Sequence, residues 1–186
     1  NHTKSKILPA LLNINNNKIY IVSKKKIVQN KRIIKIDSLN KAILYLNKKT
    51  LFLIVTPPNS HYLLVKKITN NGFKVLVEKP IFLYKYQSEY FFKVNKNNYI
   101  HECFMYKYTR IFLKLKKEIF FNKKNIISIN INFLIPPLSY SSFRNLKQHK
   151  GTVINDMACY AISLVNELNF NITKFKIIKI NNKFKN

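Results

Sequence analysis

The sequence predicts an α/β fold organised on a parallel sheet, and three features of residues 51–80 carry that prediction. Leu51 to Val55 is a continuous apolar run, the pattern of a parallel strand covered on both faces. Pro57 and Pro58 end it, because neither can donate a ladder hydrogen bond. Asn59 and Ser60 are suited to N-cap a helix over His61 to Asn70, and Gly72 stands where a C′ glycine closes one. Phe73 to Val77 then reads as the second strand, ending in Glu78-Lys79-Pro80. Ligands of parallel sheets bind beyond the carboxyl ends of the strands. Asn59, His61, Glu78 and Lys79 therefore share one rim.

Composition narrows the classes of function. The chain has 186 residues, of which 47% are hydrophobic, enough for a packed core and room for one domain to one and a half. A net charge of +27 would ordinarily point to nucleic acid or an anionic membrane. Only Arg32, Arg110 and Arg144 among the 34 basic residues are arginine, however, and the lysines are scattered. Asn, Ile, Lys, Phe and Tyr are abundant and Trp is absent, the slant of a very AT-rich coding sequence. Readers of nucleic acid favour arginine for bidentate contacts, so no specific nucleic-acid partner is expected. A basic nucleic-acid-binding protein stands as the third reading of the function. There is no apolar run of about 18 residues and no signal-peptide pattern in NHTKSKILPALLN, so no membrane partner is expected. Cys103 and Cys159 lack metal-ligand spacing and read as core residues. These features together predict a reduced, cytoplasmic protein without a metal site.

Taken in order, residues 3–13 read as a short helix broken at Pro9, with Ile7, Leu11 and Leu12 on one side. Lys18 to Ser23 is a strand with Ser23-Lys24-Lys25-Lys26 at its carboxyl end. Ile33 to Ile36 is another, after which Asp37-Ser38 caps a helix over Leu39 to Asn47 with Ala42, Ile43 and Leu44 available to the sheet. Beyond Pro80 follow a helix over Tyr84 to Asn95, a strand over Tyr99 to Tyr106 and an amphipathic helix over Arg110 to Phe121. The branched residues of Ile126 to Ile135 predict a strand opening a second, α+β domain. The long loop from Pro136 to Lys150 is of a length more often functional than decorative. Gly151 to Leu168 is a helix with Val153, Met157, Ala161, Leu164 and Leu168 on an apolar stripe, and Asp156, Tyr160, Ser163 and Glu167 opposite. Thr173 to Ile180 begins a further strand. The domain boundary falls between 1–106 and 107–186.

The motif Thr56-Pro57-Pro58-Asn59-Ser60-His61, followed about twenty residues later by Glu78-Lys79-Pro80, resembles the Gfo/Idh/MocA family of NAD(P)-dependent oxidoreductases. Further along, Tyr99 to Tyr106 (YIHECFMY) is similar to the family's E-A-F-M-Y-R strand, with Lys107 where the family tends to place Arg. Phe143-Arg144-Asn145 resembles an F-R-N stretch near the family's active site. Gly151, Asp156 and Tyr160 match G-G-x-x-x-D-x-G-x-[HY], although Lys150 and Ala158 replace two of its glycines.

The resemblance implies a Rossmann-like parallel sheet and the start of an α+β domain with an open sheet. With Gly72 and Gly151 its only glycines, the chain carries no G-x-G-x-x-G/A turn. The first strand and phosphate-binding loop are expected to be missing, with truncation at both ends. A catalytically inactive, truncated family member is accordingly the alternative to an active enzyme. The active reading is hydride transfer between a nicotinamide cofactor and a sugar, nucleotide-sugar or cyclic polyol. The tyrosine variant leans towards glucose–fructose oxidoreductases, dihydrodiol dehydrogenases and nucleotide-sugar ketoreductases.

The resemblance further implies Lys79 as catalytic acid/base, Tyr160 as its partner and Asp156 as an orienting group that, with Arg144 and Tyr160, contacts substrate. Partial burial and nearby cations would bring Lys79 towards a useful range. Thr56, Pro57, Asn59, His61, Glu78 and Lys79 would line the cofactor. Ser23 and Lys24, a hydroxyl and a cation where a ribose-binding carboxylate would select NAD, favour NADP over NAD. A homo-oligomer formed through the second-domain sheet is also implied.

Overall fold

The structure, a computed structural model, describes residues 3–14, 17–23, 25–95, 99–132 and 157–174. These fall into two compact units, Asn1–Cys103 and Phe104–Asn186.

In the first unit, a π-helical turn at Thr3–Ile7 runs into helix α1, Leu8–Ile14. The expected break at Pro9 does not occur. Pro9 lies in the first turn of α1, where the π-helical turn gives way to the α-helix. Strands β1 (Ile19–Val22) and β2 (Ile33–Ile36) pair in parallel, Ile19 opposite Ile33. Helix α2 (Leu39–Tyr45) starts at Ser38, whose side chain accepts from the Lys41 amide at 3.2 Å. Ala42 is its fully buried contact residue.

The centre of the unit is β3 (Leu51–Ile54), α3 (His61–Asn70) and β4 (Lys74–Glu78), with α4 (Lys85–Val94) and β5 (Ile100–Cys103) following. The sheet β3-β4-β5 is parallel throughout, with Ile54 opposite Val77 and Glu78 opposite Cys103. Helix α3 closes on Gly72, whose φ of 76° is available to glycine at no cost. The Gly72 amide donates to the Thr69 carbonyl at 2.9 Å and the Phe73 amide to that of Ile68 at 3.4 Å, a Schellman closure. Its apolar pair, Ile68 and Phe73, enters a core shared with Ile54, Val65, Val75, Val77, Phe82 and Phe91. Each such side chain contributes roughly 1.5–3 kcal/mol on burial.

The two sheets are separate. Every pairing in both is parallel, as in a doubly wound sheet. Among the described residues no strand joins the two sheets.

In the second unit, Phe104 leads into a 3-10 turn at Met105–Tyr108, so the strand expected to reach Tyr106 ends at Cys103. Once Glu78 has paired with Cys103, β4 has no further residue to hold a longer β5. Helix α5 (Arg110–Asn122) is capped by Thr109, which accepts from the Phe112 amide at 3.2 Å. Residues 126–132 carry no strand, and Ile127 is fully exposed. Branched residues favour extended backbone, but a strand also needs a partner, and the described residues offer none. Helix α6 (Cys159–Glu167) is the described part of the helix predicted over 151–168. Residues 151–156 of that helix, the loop 136–150, the rest of the predicted strand 126–135 and residues 175–180 lie outside the described residues. No helix among the described residues is long and apolar enough to cross a membrane.

Candidate functional site

Because β3 and β4 are adjacent and parallel, the loops leaving their carboxyl ends emerge side by side. After β3, Pro57 is extended (φ −60°, ψ 146°) and a 3-10 turn over Pro58–Ser60 passes directly into α3. Ser60 occupies the N-cap position without capping, contrary to the sequence expectation. Its hydroxyl instead donates to the Pro57 carbonyl at 2.8 Å and lies 2.6 Å from the Thr56 hydroxyl. The continuous turn leaves the helix amides no room for a side-chain cap, since the His61 amide already bonds to Pro58. Thr56 and Asn59 are exposed on this rim, whereas Pro57, Glu78 and Lys79 are half-buried. The Lys79–Pro80 peptide bond is cis.

His61 joins the two loops. Its ring is fully buried, with Nδ1 2.9 Å from the Pro80 carbonyl oxygen and Nε2 2.9 Å from that of Thr56. From the opposite side Glu102 accepts from the Ile81 amide at 2.7 Å. The residue pair Pro80-Ile81, immediately after Lys79, is thus held by α3 through one group and by β5 through another. Sequence reasoning passed over Glu102. The signal lay in register, since Glu102 opposite Val77 stands at the same sheet edge as Glu78. Burial, followed by the Glu78 and Glu102 carboxylates, pushes the neighbouring Cys103 thiol up to about 11. Cys103 is therefore a protonated thiol at neutral pH.

Of the other predicted residues, Ser23 sits at the end of β1 and its hydroxyl accepts from the Lys25 amide at 3.1 Å. Tyr160 belongs to the second unit, where its ring meets those of Phe104 and Tyr106 at centroid separations of 5.6 Å and 6.1 Å. Lys24, Arg144 and Asp156 lie outside the described residues.

The polar stripe of α6 is engaged rather than exposed. The Tyr106 hydroxyl donates to Ser163 at 2.8 Å, and the Glu167 carboxylate takes Lys107 at 2.9 Å and Lys116 at 2.8 Å. The hydrogen bonds from Lys116 and then Lys107 hold the Glu167 carboxyl below its usual range. Lys107, in the position where the resembled family tends to place Arg, is thus ion-paired within its own unit.

Residues 10–94 match the model of the Gfo/Idh/MocA oxidoreductase family, NAD-binding Rossmann fold. The structure is similar to that of a protein assigned as the oxidoreductase yhhX, at 19% identity and a TM-score of 0.62 over 88% of this chain and 50% of that one. It is similar also to a protein assigned as a myo-inositol dehydrogenase from Sinorhizobium meliloti, at 17% identity and a TM-score of 0.56 over 73% of this chain and 41% of that one. An NAD-binding protein from Listeria innocua matches at 22% identity and a TM-score of 0.54 over 72% of this chain and 40% of that one. At such identities the likeness is one of fold, and the chain spans between two fifths and half the length of these structures. No curated protein matches the chain in sequence.

Proposed function

Residues 10–94 belong to the Gfo/Idh/MocA oxidoreductase family as its NAD-binding Rossmann domain, and we propose that the chain serves hydride transfer between a nicotinamide cofactor and a sugar, nucleotide-linked sugar or cyclic polyol. The observation that carries this reading is the convergence of the Thr56–His61 and Glu78–Pro80 loops at adjacent strand ends. Exposed Thr56 and Asn59 beside half-buried Glu78 and Lys79 fit the donor and acceptor groups of a nicotinamide ribose. When bound, the nicotinamide supplies or accepts the hydride. The chain's own part is to move a proton and to orient. Lys79 Nζ holds or releases the hydroxyl proton of the reacting carbon. Tyr160, by the family resemblance, is its partner, with Asp156 orienting and Arg144 on the substrate. Ser23 and Lys24 meet the ribose 2′ position, where a hydroxyl and a cation suit a phosphate.

The test is a fluorescence titration of NADPH and NADH at moderate salt, on this chain and on Lys79→Ala. Saturable binding by both proteins, tighter for NADPH, is expected, with turnover of a polyol or sugar screen lost in the variant by about 10²-fold or more. Absence of saturation with either nucleotide overturns the cofactor reading. Equal turnover by Lys79→Ala overturns the assignment of Lys79.

A further inference from the structure

Helix α4 turns one side to the core and an aromatic side to solvent. Inside, Phe91 is buried and meets Phe82 at a ring-centroid separation of 5.3 Å. Phe82 meets Tyr62 of α3 at 5.4 Å, so rings lock the two helices together. Outside, Tyr86 is 64% exposed and Tyr90 51%. They stand at i and i+4, on one face and about 6 Å apart along the axis. Tyr84, also exposed, stacks on Tyr86 with centroids 5.5 Å apart and planes 14° from parallel. Cations accompany these rings. The Lys66 ammonium of α3 lies 5.2 Å from the centre of the Tyr90 ring, and exposed Lys93 continues the same face three residues beyond Tyr90. Lys85 is instead paired with Glu89 at 3.4 Å.

We propose that this face of α4 binds single-stranded nucleic acid, with bases stacking on Tyr86 and Tyr90 and phosphates meeting Lys66 and Lys93. Exposed rings on a rigid helix are a platform for flat partners, and every base has a π-face to offer. The ammonium groups beside the rings select an anionic partner, and the chain as a whole carries +27. A single strand joins both properties in one repeating unit. A duplex keeps its base faces inside its own stack, and an acidic peptide brings carboxylates without a run of π-faces. The sequence of α4, KYQSEYFFKV, has no arginine, the side chain that reads guanine bidentately. Binding here is therefore indifferent to base sequence and rests on stacking and charge. It is independent of the nicotinamide reading of the Thr56–His61 and Glu78–Pro80 loops.

The experiment must separate stacking from the general attraction of a basic chain for polyanions. Binding of a labelled oligo-dT of about 12 nucleotides is followed by anisotropy against salt, with heparin, a polyanion without bases, as the second ligand. Tyr86→Leu and Tyr90→Leu keep the charge. Each should weaken oligo-dT binding about tenfold or more while leaving its salt slope and the heparin affinity unchanged. Lys93→Gln should instead lower the oligo-dT salt slope by about 0.7. Tyrosine variants that bind oligo-dT as the wild type does, or that lose oligo-dT and heparin together, overturn the proposal. A second readout needs no variant. The chain has 11 tyrosines and no tryptophan, so its intrinsic fluorescence is that of tyrosine. Saturation of the wild type with oligo-dT should quench it and saturation with heparin should not. Equal quenching by the two ligands overturns the stacking assignment.

Discussion

In the first unit, β3 and β4 bury Ile54, Val75 and Val77 with Val65, Ile68 and Phe73 in one continuous apolar core. In the second, the described helices meet through Tyr106, Ser163 and the Lys107–Glu167–Lys116 ion cluster, with Phe104, Phe112 and Leu168 as the buried apolar residues. The contrast separates two kinds of cohesion. Apolar burial has no preferred direction and depends on how much surface leaves water. The ion cluster depends on three side chains meeting in one geometry, and its strength depends on pH and salt.

The deepest test of that contrast is Phe73→Ala. Phe73 is 2% exposed and packs edge-on to Phe52 with ring centroids 4.9 Å apart. Its truncation should cost roughly 3–5 kcal/mol in denaturant unfolding of the first unit. It should also remove nucleotide binding, while slow-exchanging amides of α6 are retained. Loss of α6 protection to the same degree would show that the two units unfold as one.

Gly72→Ala probes the same unit through its backbone. No atom lies within 4 Å of the position a Cβ would take, so space is not at issue. The φ of 76° is, and the expected loss is about 1–2 kcal/mol in equilibrium unfolding. An unchanged midpoint would show that the Schellman closure relaxes freely.

Glu167→Gln strikes the second unit. The carboxylate is 29% exposed and serves two lysines. After allowance for solvent screening its loss should cost about 1 kcal/mol, seen as faster amide exchange in α6. The wild-type clamp has a pH signature of known sign. A carboxyl held below its ordinary 4.5 stabilises the fold fully above that pH and loses the contribution as pH falls through the lowered folded value. Acid should therefore loosen α6 in the wild type more than in Glu167→Gln. Identical acid profiles would remove the cluster from the account.

Much of the first unit could be read from residue order. Helix α3 spans His61–Asn70 as the proline pair and Gly72 require, and β2 spans Ile33–Ile36 as its apolar run requires. Local rules suffice there because each boundary is set by a residue whose backbone options are few. The α6 stripe was harder to read. Periodicity separated an apolar face from a polar one, yet Ser163 of the polar face is buried. Tyr106 and two lysines supply partners from far along the chain, which no helical wheel contains.

The sequence by itself determined the βαβ unit, its parallel sense and the rim on which Asn59, Glu78 and Lys79 stand, because strand, breaker and cap propensities act over a few residues. It also placed His61 beside that rim. Only the tertiary structure decided that the His61 ring turns inward to two carbonyls, that Glu102 takes the Ile81 amide, and that the polar face of α6 is engaged by its own unit. Those outcomes depend on which hydrogen-bonding groups arrive within about 3 Å of each other, and chain folding, rather than neighbouring sequence, brings them there.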